Sequence, residues 1–183
     1  MTLSVLRTAQ AHDVASVRAI LELNDNTLSL AADISCSGEP AVVQLIENTL
    51  RDFPFLLALE AGRCRGFTYA RPHQAGAYRW SADVALHVDP HASACTGERL
   101  YRQMLHDLAA QGYLAAYALV SAALPKGIEL HQSLGFVRIG CHHSIDLQQE
   151  VDCWCLSLGE RHPAHEPMSY QALLRSRRKT VTG

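Results

Sequence analysis

The alternation of apolar and polar positions along the chain predicts a mixed α/β fold. Near the start, "LSVLR" (3–7) predicts a short strand, and "HDVASVRAILEL" (12–23) predicts a helix with one apolar face and Asp13 as its N-cap. The polar segment that follows is expected to form a long loop. Pro40 suits the first turn of a second helix. The apolar stripe of that helix consists of Val42, Val43, Ile46 and Leu50.

The middle of the chain predicts a hairpin, a further strand and a helix. Two apolar runs flank "EAGRCRG" (60–66), which is typical of a β-hairpin closed by a glycine-containing turn. After the loop "RPHQAG" (71–76), "AYRWSADVALHV" (77–88) alternates between apolar and partly polar positions, as a strand with two different faces does. A helix is expected to begin at Thr96 or Gly97 and to end at Gly112, since glycine is common just after the last helical residue.

The last third predicts a buried strand at "YLAAYALVSAAL" (113–124) and a short helix at "KGIELHQSLGF" (126–136). Two strands follow, at "VRIGCHHSI" (137–145) and "EVDCWCLSL" (150–158). The predicted order is therefore β-α-α-β-β-β-α-β-α-β-β. From Gly159 the chain is polar with a basic end, and at most one or two amphipathic turns are expected there. We expect a solvated or partner-packed extension, with a nucleic-acid contact as the alternative.

Composition excludes several classes of protein. The 183 residues suit one domain, and an apolar content of 48% is that of a globular chain. A net charge of −2 gives no general attraction to nucleic acid or to anionic membranes. No apolar run approaches the roughly 20 residues that span a bilayer. The first residues lack a basic leader followed by an apolar core, so we expect a cytoplasmic protein.

The six cysteines are scattered, and we expect them to be reduced and to pack as small apolar groups. An alternative is a zinc cluster of Cys141, His142, Cys153 and Cys155. The spacing in "CWC" (153–155) differs from the two to four residues that separate paired cysteines in structural zinc sites. The preferred expectation is therefore that the protein holds no metal.

Five segments taken together resemble the GNAT superfamily of N-acetyltransferases. They are "FPFLLALEAGRCRGFTYARP", "AYRWSADVALHVDP", "LYRQMLHDLAAQGY", "ELHQSLGF" and the strand of Trp154. More narrowly, the chain is similar to the phosphinothricin and methionine sulfoximine N-acetyltransferases. The resemblance covers residues 3–158 and implies a GNAT domain over 1–158, followed by a partly basic C-terminal extension over 159–183. It implies a mixed, mostly antiparallel, splayed sheet flanked by helices, acetyl-CoA as cosubstrate between two central strands, and a homodimer.

The resemblance gives "HASACTGERLY" (91–101) the place of the loop that holds the cofactor's diphosphate. There, successive backbone N–H groups at a helix N-terminus face the phosphates, and small residues permit close approach. Gly97 takes the last glycine position, Cys95 replaces the first, and Ala92 replaces the leading polar residue. The alternative is a plain connecting turn. The implied cofactor contacts are Leu86, His87, Val88, Ser93, Ala94, Cys95, Thr96, Gly97 and Glu98, with His87 as a wall of the slot.

The resemblance also implies a set of catalytic groups. Asp83 stands where relatives carry a glutamate base but is one methylene shorter, and its alternative is a solvated strand position. His131 stands where the subgroup has a histidine and would protonate the departing thiolate; alternatively it only packs near the cofactor. A backbone N–H from 86–88 would hold the thioester carbonyl.

Substrate contacts are implied at Tyr78, Arg79 and Asp83, although Arg79 equally suits a surface position. Leu124 replaces an asparagine that contacts the cofactor, and the substrate loop, here "PHQAG" (72–76), has lost the basic residues of close relatives. We therefore expect an N-acetyltransferase for a small primary amine, with herbicide-like acceptors in doubt. The alternative is a member of this fold that binds CoA or another ligand without turnover.

Overall fold

The computed structural model describes residues 4–23, 38–74, 79–144, 149–159 and 165–181. The predicted loop after residue 23 lies mostly outside these ranges. The strands are β1 (Val5–Thr8), β2 (Phe55–Glu60), β3 (Arg63–Pro72), β4 (Ser81–Val88), β5 (Ala115–Ser121), β6 (Val137–Ser144) and β7 (Gln149–Ser157). The helices are α1 (Val14–Leu23), preceded by a 3-10 turn (Ala11–Asp13), α2 (Glu39–Asp52), α3 (Thr96–Gln111), α4 (Pro125–Ser133) and α5 (Tyr170–Val181). The predicted order of elements is confirmed, and α5 is added to it.

The seven strands form one sheet in the order β1-β2-β3-β4-β5-β7-β6. Strands β4 and β5 run parallel, and the other neighbouring pairs are antiparallel, so the predicted mixed and mostly antiparallel sheet is confirmed. The parallel pair is short. It joins Ser81 to Ala115, Ala82 to Ala116 and Asp83 to Tyr117, and β4 and β5 share no residue pair beyond Asp83.

The hairpin predicted around residue 61 joins β2 to β3. Its two turn residues, Ala61 and Gly62, have φ angles of 49° and 77°. Positive φ at both central positions is the condition for the tight turn that matches the twist of the flanking strands. The hairpin aligns the end of β2 with the start of β3, and it thereby brings Glu60 next to Arg63.

Each face of the sheet carries its own apolar core, as the alternation along β4 predicts. On one face Ala82 and Val84 pack with α3 through residues such as Leu100 and Met104. On the other face Phe55, Phe67 and Tyr69 pack with α1 and α2 through Val17 and Ile46. Both faces of β4 are therefore covered, which makes it a central strand that is buried on both sides.

The C-terminal segment corrects the expectation of one or two helical turns. Helix α5 has 12 residues, with Tyr170 and Leu173 buried against the domain. The Gln111 side-chain amide donates to the backbone oxygens of Asp52 and Met168, and Arg177 pairs with the buried carboxylate of Asp107 at 2.8 Å. Tertiary packing thus stabilises a helix whose polar sequence is a weak signal by itself. Among the described residues, none of the helices is both long and apolar enough to span a bilayer.

Candidate functional site

A cleft of about 490 Å³ opens where β4 and β5 separate. It runs along β4 from Val84 to Val88 and reaches the N-terminal end of α3 and one side of α4. Its lining includes Leu86, Ser93, Gly97, Tyr101, Lys126 and His131. A strand edge that faces a cleft instead of a neighbouring strand offers its backbone groups to a ligand.

The loop between β4 and α3 presents backbone donors at the mouth of this cleft. Four successive or near-successive N–H groups, those of Ala94, Cys95, Gly97 and Glu98, find no hydrogen-bond acceptor within the part of the chain that the structure describes. Ala94, Gly97 and Glu98 also line the cleft. A helix N-terminus with unsatisfied N–H groups favours an anionic ligand.

Gly97 brings this helix end close to the sheet. A Cβ added there would lie 3.4 Å from the side chains of both Leu86 and Val88, which is ordinary contact distance. The start of α3 therefore packs directly on β4, and the loop donors and the strand edge belong to one continuous surface. The small residues predicted for this loop do leave the backbone accessible.

Glu60, the last residue of β2, anchors the loop through its carboxylate. One of its carboxylate oxygens accepts hydrogen bonds from the Thr96 hydroxyl at 2.5 Å, the Ser93 hydroxyl at 2.7 Å and the Ser93 N–H at 3.1 Å. These bonds, the one from Thr96 first, hold the pKa of Glu60 below its ordinary value. The carboxylate therefore stays ionised next to the positive end of the α3 dipole.

Asp89 fixes the beginning of the same loop. Its carboxylate accepts the backbone N–H of His91 at 2.8 Å and pairs with Arg65 at 2.5 Å. The His91 N–H first, and then Arg65, keep the pKa of this buried carboxyl below its ordinary value. The sequence analysis assigned no role to Glu60, Asp89 or Arg65. The pair "DP" at 89–90 is a usable turn signal, whereas Glu60 reaches the loop only through the fold.

His131 lies on α4, buried, at the wall of the cleft. Its Nδ1 is 2.7 Å from the backbone oxygen of Gly127, and because a carbonyl only accepts, Nδ1 carries the hydrogen. Nε2 then accepts the hydroxyl of Tyr101, 3.0 Å away. Burial lowers the pKa of His131 and raises that of Tyr101. His131 is thus a neutral imidazole that holds a tyrosine hydroxyl, a partner that the sequence analysis missed.

His87 is almost fully buried on the opposite face of β4 from α3. Its ring stacks on Phe67 with centroids 4.6 Å apart. Burial lowers its pKa to about 4. His87 lines the cleft, and its role as a wall of the cofactor slot stays a prediction.

Asp83 opens into a second, smaller cavity of about 210 Å³. Its side chain alternates along β4 with those that pack on α3, so this cavity lies on the other face of the sheet from α3. The lining includes Arg71, His73, Asp83, Tyr117, Leu119 and Ile139. Leu119 lines both cavities, which places them next to each other where β4 and β5 part.

Arg79 is engaged by the C-terminal segment. Its Nε donates to both carboxylate oxygens of Glu166, at 2.8 and 3.1 Å, and its guanidinium lies 3.7 Å above the ring of Trp80. A substrate carboxylate would have to compete with Glu166 for this group. Tyr78, the other predicted substrate contact, lies outside the described residues. Leu124 lines the cleft, so an apolar side chain does stand where a polar cofactor contact was expected.

The zinc alternative finds no support in the described ranges. The Cys153 sulfur is 3.6 Å from Nδ1 of His142, but no group of three or more His, Cys, Asp or Glu side chains is placed to hold a metal ion among the residues that the structure covers. The cysteines of these ranges are free thiols: Cys64, Cys95, Cys141, Cys153 and Cys155.

Neither a scan against protein-family models nor a search of curated protein sequences finds a match for this chain. Solved structures do match it. YncA, a putative acetyltransferase of Salmonella typhimurium with its cofactor acetyl-CoA, superposes with a TM-score of 0.77 at 19% identity, over 88% of this chain and 98% of its own. A GNAT superfamily phosphinothricin acetyltransferase of Sinorhizobium meliloti in complex with acetyl-CoA gives a TM-score of 0.75 at 23% identity, over 91% and 96%.

A ribosomal-protein-alanine N-acetyltransferase of Brucella melitensis is equally similar, with a TM-score of 0.75 at 22% identity over 84% of this chain and 99% of its own. The names of these proteins state different acceptors, so the structural similarity supports a common fold but does not identify a substrate. The seven-stranded sheet that parts between β4 and β5, with the helix-led loop at the opening, is the fold of the GNAT N-acetyltransferases.

Proposed function

We propose that this protein is an N-acetyltransferase that moves the acetyl group of acetyl-CoA to a small primary amine. The observation that carries the proposal is the meeting of two cavities at Leu119, where β4 and β5 part. One cavity ends in a cradle of backbone donors, and the other holds ionisable side chains. Two substrates that enter through different cavities can therefore react at the point where the strands separate.

The residues of the cleft fit the cofactor. The N–H groups of Ala94, Cys95, Gly97 and Glu98 would bind the diphosphate, and the edge of β4 from Val84 to Val88 would bind the pantetheine arm. When bound, acetyl-CoA supplies an activated acetyl thioester. A backbone N–H from Leu86 to Val88 would donate to the thioester oxygen and stabilise the charge that develops on it.

Two side chains would handle the protons. Asp83, at the boundary of the smaller cavity, is our candidate for the base that deprotonates the acceptor ammonium. His131 remains our candidate for the acid; in this role it would first have to bind a proton at Nε2, where it now accepts the Tyr101 hydroxyl at 3.0 Å. Asp83 lines the smaller cavity and His131 the larger one, so the two groups would act on different substrates.

The smaller cavity favours an acceptor with a compact, largely apolar body. Tyr117, Leu119 and Ile139 supply apolar and aromatic walls, and Arg71 supplies a cation at one side. Amino-acid analogues of the phosphinothricin and methionine sulfoximine type are one class of candidate, and simple apolar amines are another. The pairing of Arg79 with Glu166 weighs against acceptors that need two cationic partners.

The test measures release of CoA thiol from acetyl-CoA in the presence of methionine sulfoximine, phosphinothricin, L-methionine, L-phenylalanine and 2-phenylethylamine. We expect acetylation of at least one amine, and a loss of about a hundredfold in Asp83→Asn if that carboxylate serves as base. The exposed Glu47→Gln variant is the control. Absence of thiol release with every amine, in protein that binds acetyl-CoA, refutes the enzyme.

A binding protein without turnover is the second candidate. It is favoured by two observations: Glu166 occupies Arg79, and Glu60 takes up one N–H of the phosphate loop. Calorimetric titration with acetyl-CoA and with CoA separates the candidates, because this alternative predicts tight binding of both without consumption of the acetyl group.

We also propose, by analogy with the resemblance given above, that the protein is a homodimer in the cytoplasm without a nucleic-acid partner. Light scattering of the purified protein measures the oligomer directly. A monomer at micromolar concentration would refute the dimer and leave the proposed acetyl transfer unaffected.

A further inference from the structure

The side chain that contacts Asp83 most closely is a histidine from the substrate loop. His73 follows β3 directly, and its Nδ1 lies 2.5 Å from Oδ1 of Asp83. Both side chains line the smaller cavity and are largely buried, at 23% and 17% exposed. The pair is therefore part of the wall against which an acceptor would rest.

The His73 ring is fixed from a second direction. It stacks on Tyr117 with centroids 4.1 Å apart and an angle of 7° between the planes. Tyr117 belongs to β5, whereas Asp83 belongs to β4, and these two residues face each other across the last pair of the parallel ladder. The imidazole is thus held by both strands at the point where they separate.

The contact with Asp83 also sets the tautomer of His73. An ionised carboxylate only accepts hydrogen bonds, so Nδ1 carries the hydrogen in this contact. The lone pair of the ring is then on Nε2, the nitrogen at the far side from Asp83. A carboxylate that orients a histidine and balances its positive charge is the arrangement that makes imidazole an effective base.

We propose that the base of this enzyme is the His73–Asp83 pair, with His73 as the group that takes the proton and Asp83 as its positioning residue. The inference rests on the proposed function. It accounts for the aspartate, which is one methylene shorter than a glutamate, because the imidazole supplies the missing reach. Arg71, 3.6 Å from the other oxygen of Asp83, helps to hold the carboxylate in place.

The protons and bonds balance as follows. His73 takes one proton from the acceptor ammonium at Nε2, and the carboxylate of Asp83 balances the imidazolium. The neutral nitrogen forms the N–C bond to the acetyl carbon while the C–S bond breaks. The second proton of that nitrogen ends on the CoA sulfur, and His73 returns its proton to solvent. The titratable or charged side chains that line the cavity together with His73 are Arg71, Asp83, Tyr117 and Cys153.

The test uses two acceptors of nearly equal size, methylamine and hydroxylamine, with acetyl-CoA at neutral pH. Methylamine is almost wholly protonated there and needs a base, whereas hydroxylamine is mostly neutral and does not. We expect His73→Asn and Asp83→Asn to slow the acetylation of methylamine about a hundredfold and that of hydroxylamine less than about threefold. The uncatalysed reaction of hydroxylamine is subtracted.

The control is His106→Asn, since His106 is an exposed histidine on α3 outside both cavities. Calorimetry with acetyl-CoA shows that each variant is folded. An equal loss with both acceptors overturns the proposal in favour of a structural role, and so does full methylamine activity in His73→Asn. Failure of the proposed function looks different, because the wild-type protein would then acetylate no amine.

A second readout needs no cofactor. In the nitrogen spectrum of the histidine-labelled, unliganded protein, His73 should show a hydrogen on Nδ1, and Asp83→Asn should change this signal while His106→Asn leaves it unchanged. A hydrogen on Nε2 in the wild-type protein would contradict the assignment.

Discussion

The burial and contacts of each histidine decide whether it can exchange protons at physiological pH. His87 is 3% exposed and stacks on Phe67, and burial brings its pKa from 6.5 down to about 4. It is therefore neutral at physiological pH and cannot serve as an acid there. Its contribution to the cleft is the flat face of its uncharged ring.

The low pKa of His87 predicts a loss of stability in acid. Between about pH 6.5 and pH 4 the unfolded chain binds a proton at this residue and the folded protein does not, so the free energy of unfolding falls as the pH is lowered. Over the whole window the loss is on the order of 3 kcal/mol. His87→Phe keeps an aromatic ring in the stack but has no group that titrates here. We therefore expect its free energy of unfolding to fall less than that of the wild-type protein as the pH is lowered.

Urea unfolding at about pH 7 and about pH 4.5 measures this difference, since stability depends on pH through the protons bound in each state. Other groups titrate in the same window, so the comparison is between variants and not between pH values alone. His106→Phe, at an exposed position, is the control. Equal losses in the wild-type protein and in His87→Phe would contradict the prediction.

The sequence indicated single side chains of the site but not their partners. Asp83 and His131 stand out by residue type and resemblance. His73 meets Asp83 because the register pairs Arg71 with Asp83 across β3 and β4, and Tyr101 meets His131 across two helices. Strand register and helix packing are set by the tertiary structure, so a local sequence pattern does not predict them.

At the scale of elements, the N-terminal end of α3 presents backbone donors although Cys95 stands where the family resemblance implies a glycine. The donors are backbone groups, so the cysteine at 95 leaves them in place. The shape of the loop comes from Glu60 behind it and from Asp89 at its start. Both anchors are carboxylates, one on the last residue of β2 and one directly after β4.

This arrangement predicts that Glu60→Ala weakens the binding of acetyl-CoA, because Ser93 and Thr96 lose their common acceptor. We expect a loss of about tenfold, which is typical for a charge-assisted hydrogen bond. Glu60→Gln keeps an acceptor oxygen and should lie between this variant and the wild type. Calorimetric titration measures the affinities.

Glu47→Ala, an exposed glutamate on α2, is the matched control for the Glu60 variants. Tighter binding of acetyl-CoA by Glu60→Ala would mean that the carboxylate opposes the diphosphate instead of ordering the loop. That result would reverse the role assigned to Glu60 and leave the fold unaffected.

Most elements follow from local pattern, and the exceptions have a common cause. The apolar stripes predicted α1 to α4, and the alternation predicted the strands, because their periodicity reflects burial. Helix α5 was underestimated, since its stability comes from Asp107, Gln111 and other residues far away in sequence. A sequence pattern indicates which face of a segment is buried, but not which other segments pack against that face.

At the scale of the whole molecule, acetyl-CoA should act as a stabilising ligand. At a concentration of one hundred times Kd it adds about 2.7 kcal/mol to the free energy of unfolding, or about 5–10 °C in Tm for a chain of this size. We expect Ala94→Asp to reduce this rise, because the new carboxylate would stand among the N–H groups that we propose to bind the diphosphate. Tenfold weaker binding would cut the stabilisation to about 1.4 kcal/mol at the same concentration.

The same variant has an opposite effect on the free protein. An acidic residue at the N-terminal end of α3 should raise its stability by about 0.5 kcal/mol through the helix dipole. Thermal unfolding with and without acetyl-CoA measures both effects, with Asn48→Asp on α2 as the control. An unchanged shift in Ala94→Asp would place the diphosphate elsewhere.

The parting of β4 and β5 divides the sheet into two parts, one from the first half of the chain and one from the second. Strands β1 to β4 come from residues before 90 and strands β5 to β7 from residues after 114, and three facing residue pairs join the two halves. A cofactor arm lying along β4 would make backbone hydrogen bonds that an unbroken sheet would make with its own next strand. Bound acetyl-CoA would thus take the place of a neighbouring strand beside β4. That place would be vacated and filled again with each turnover.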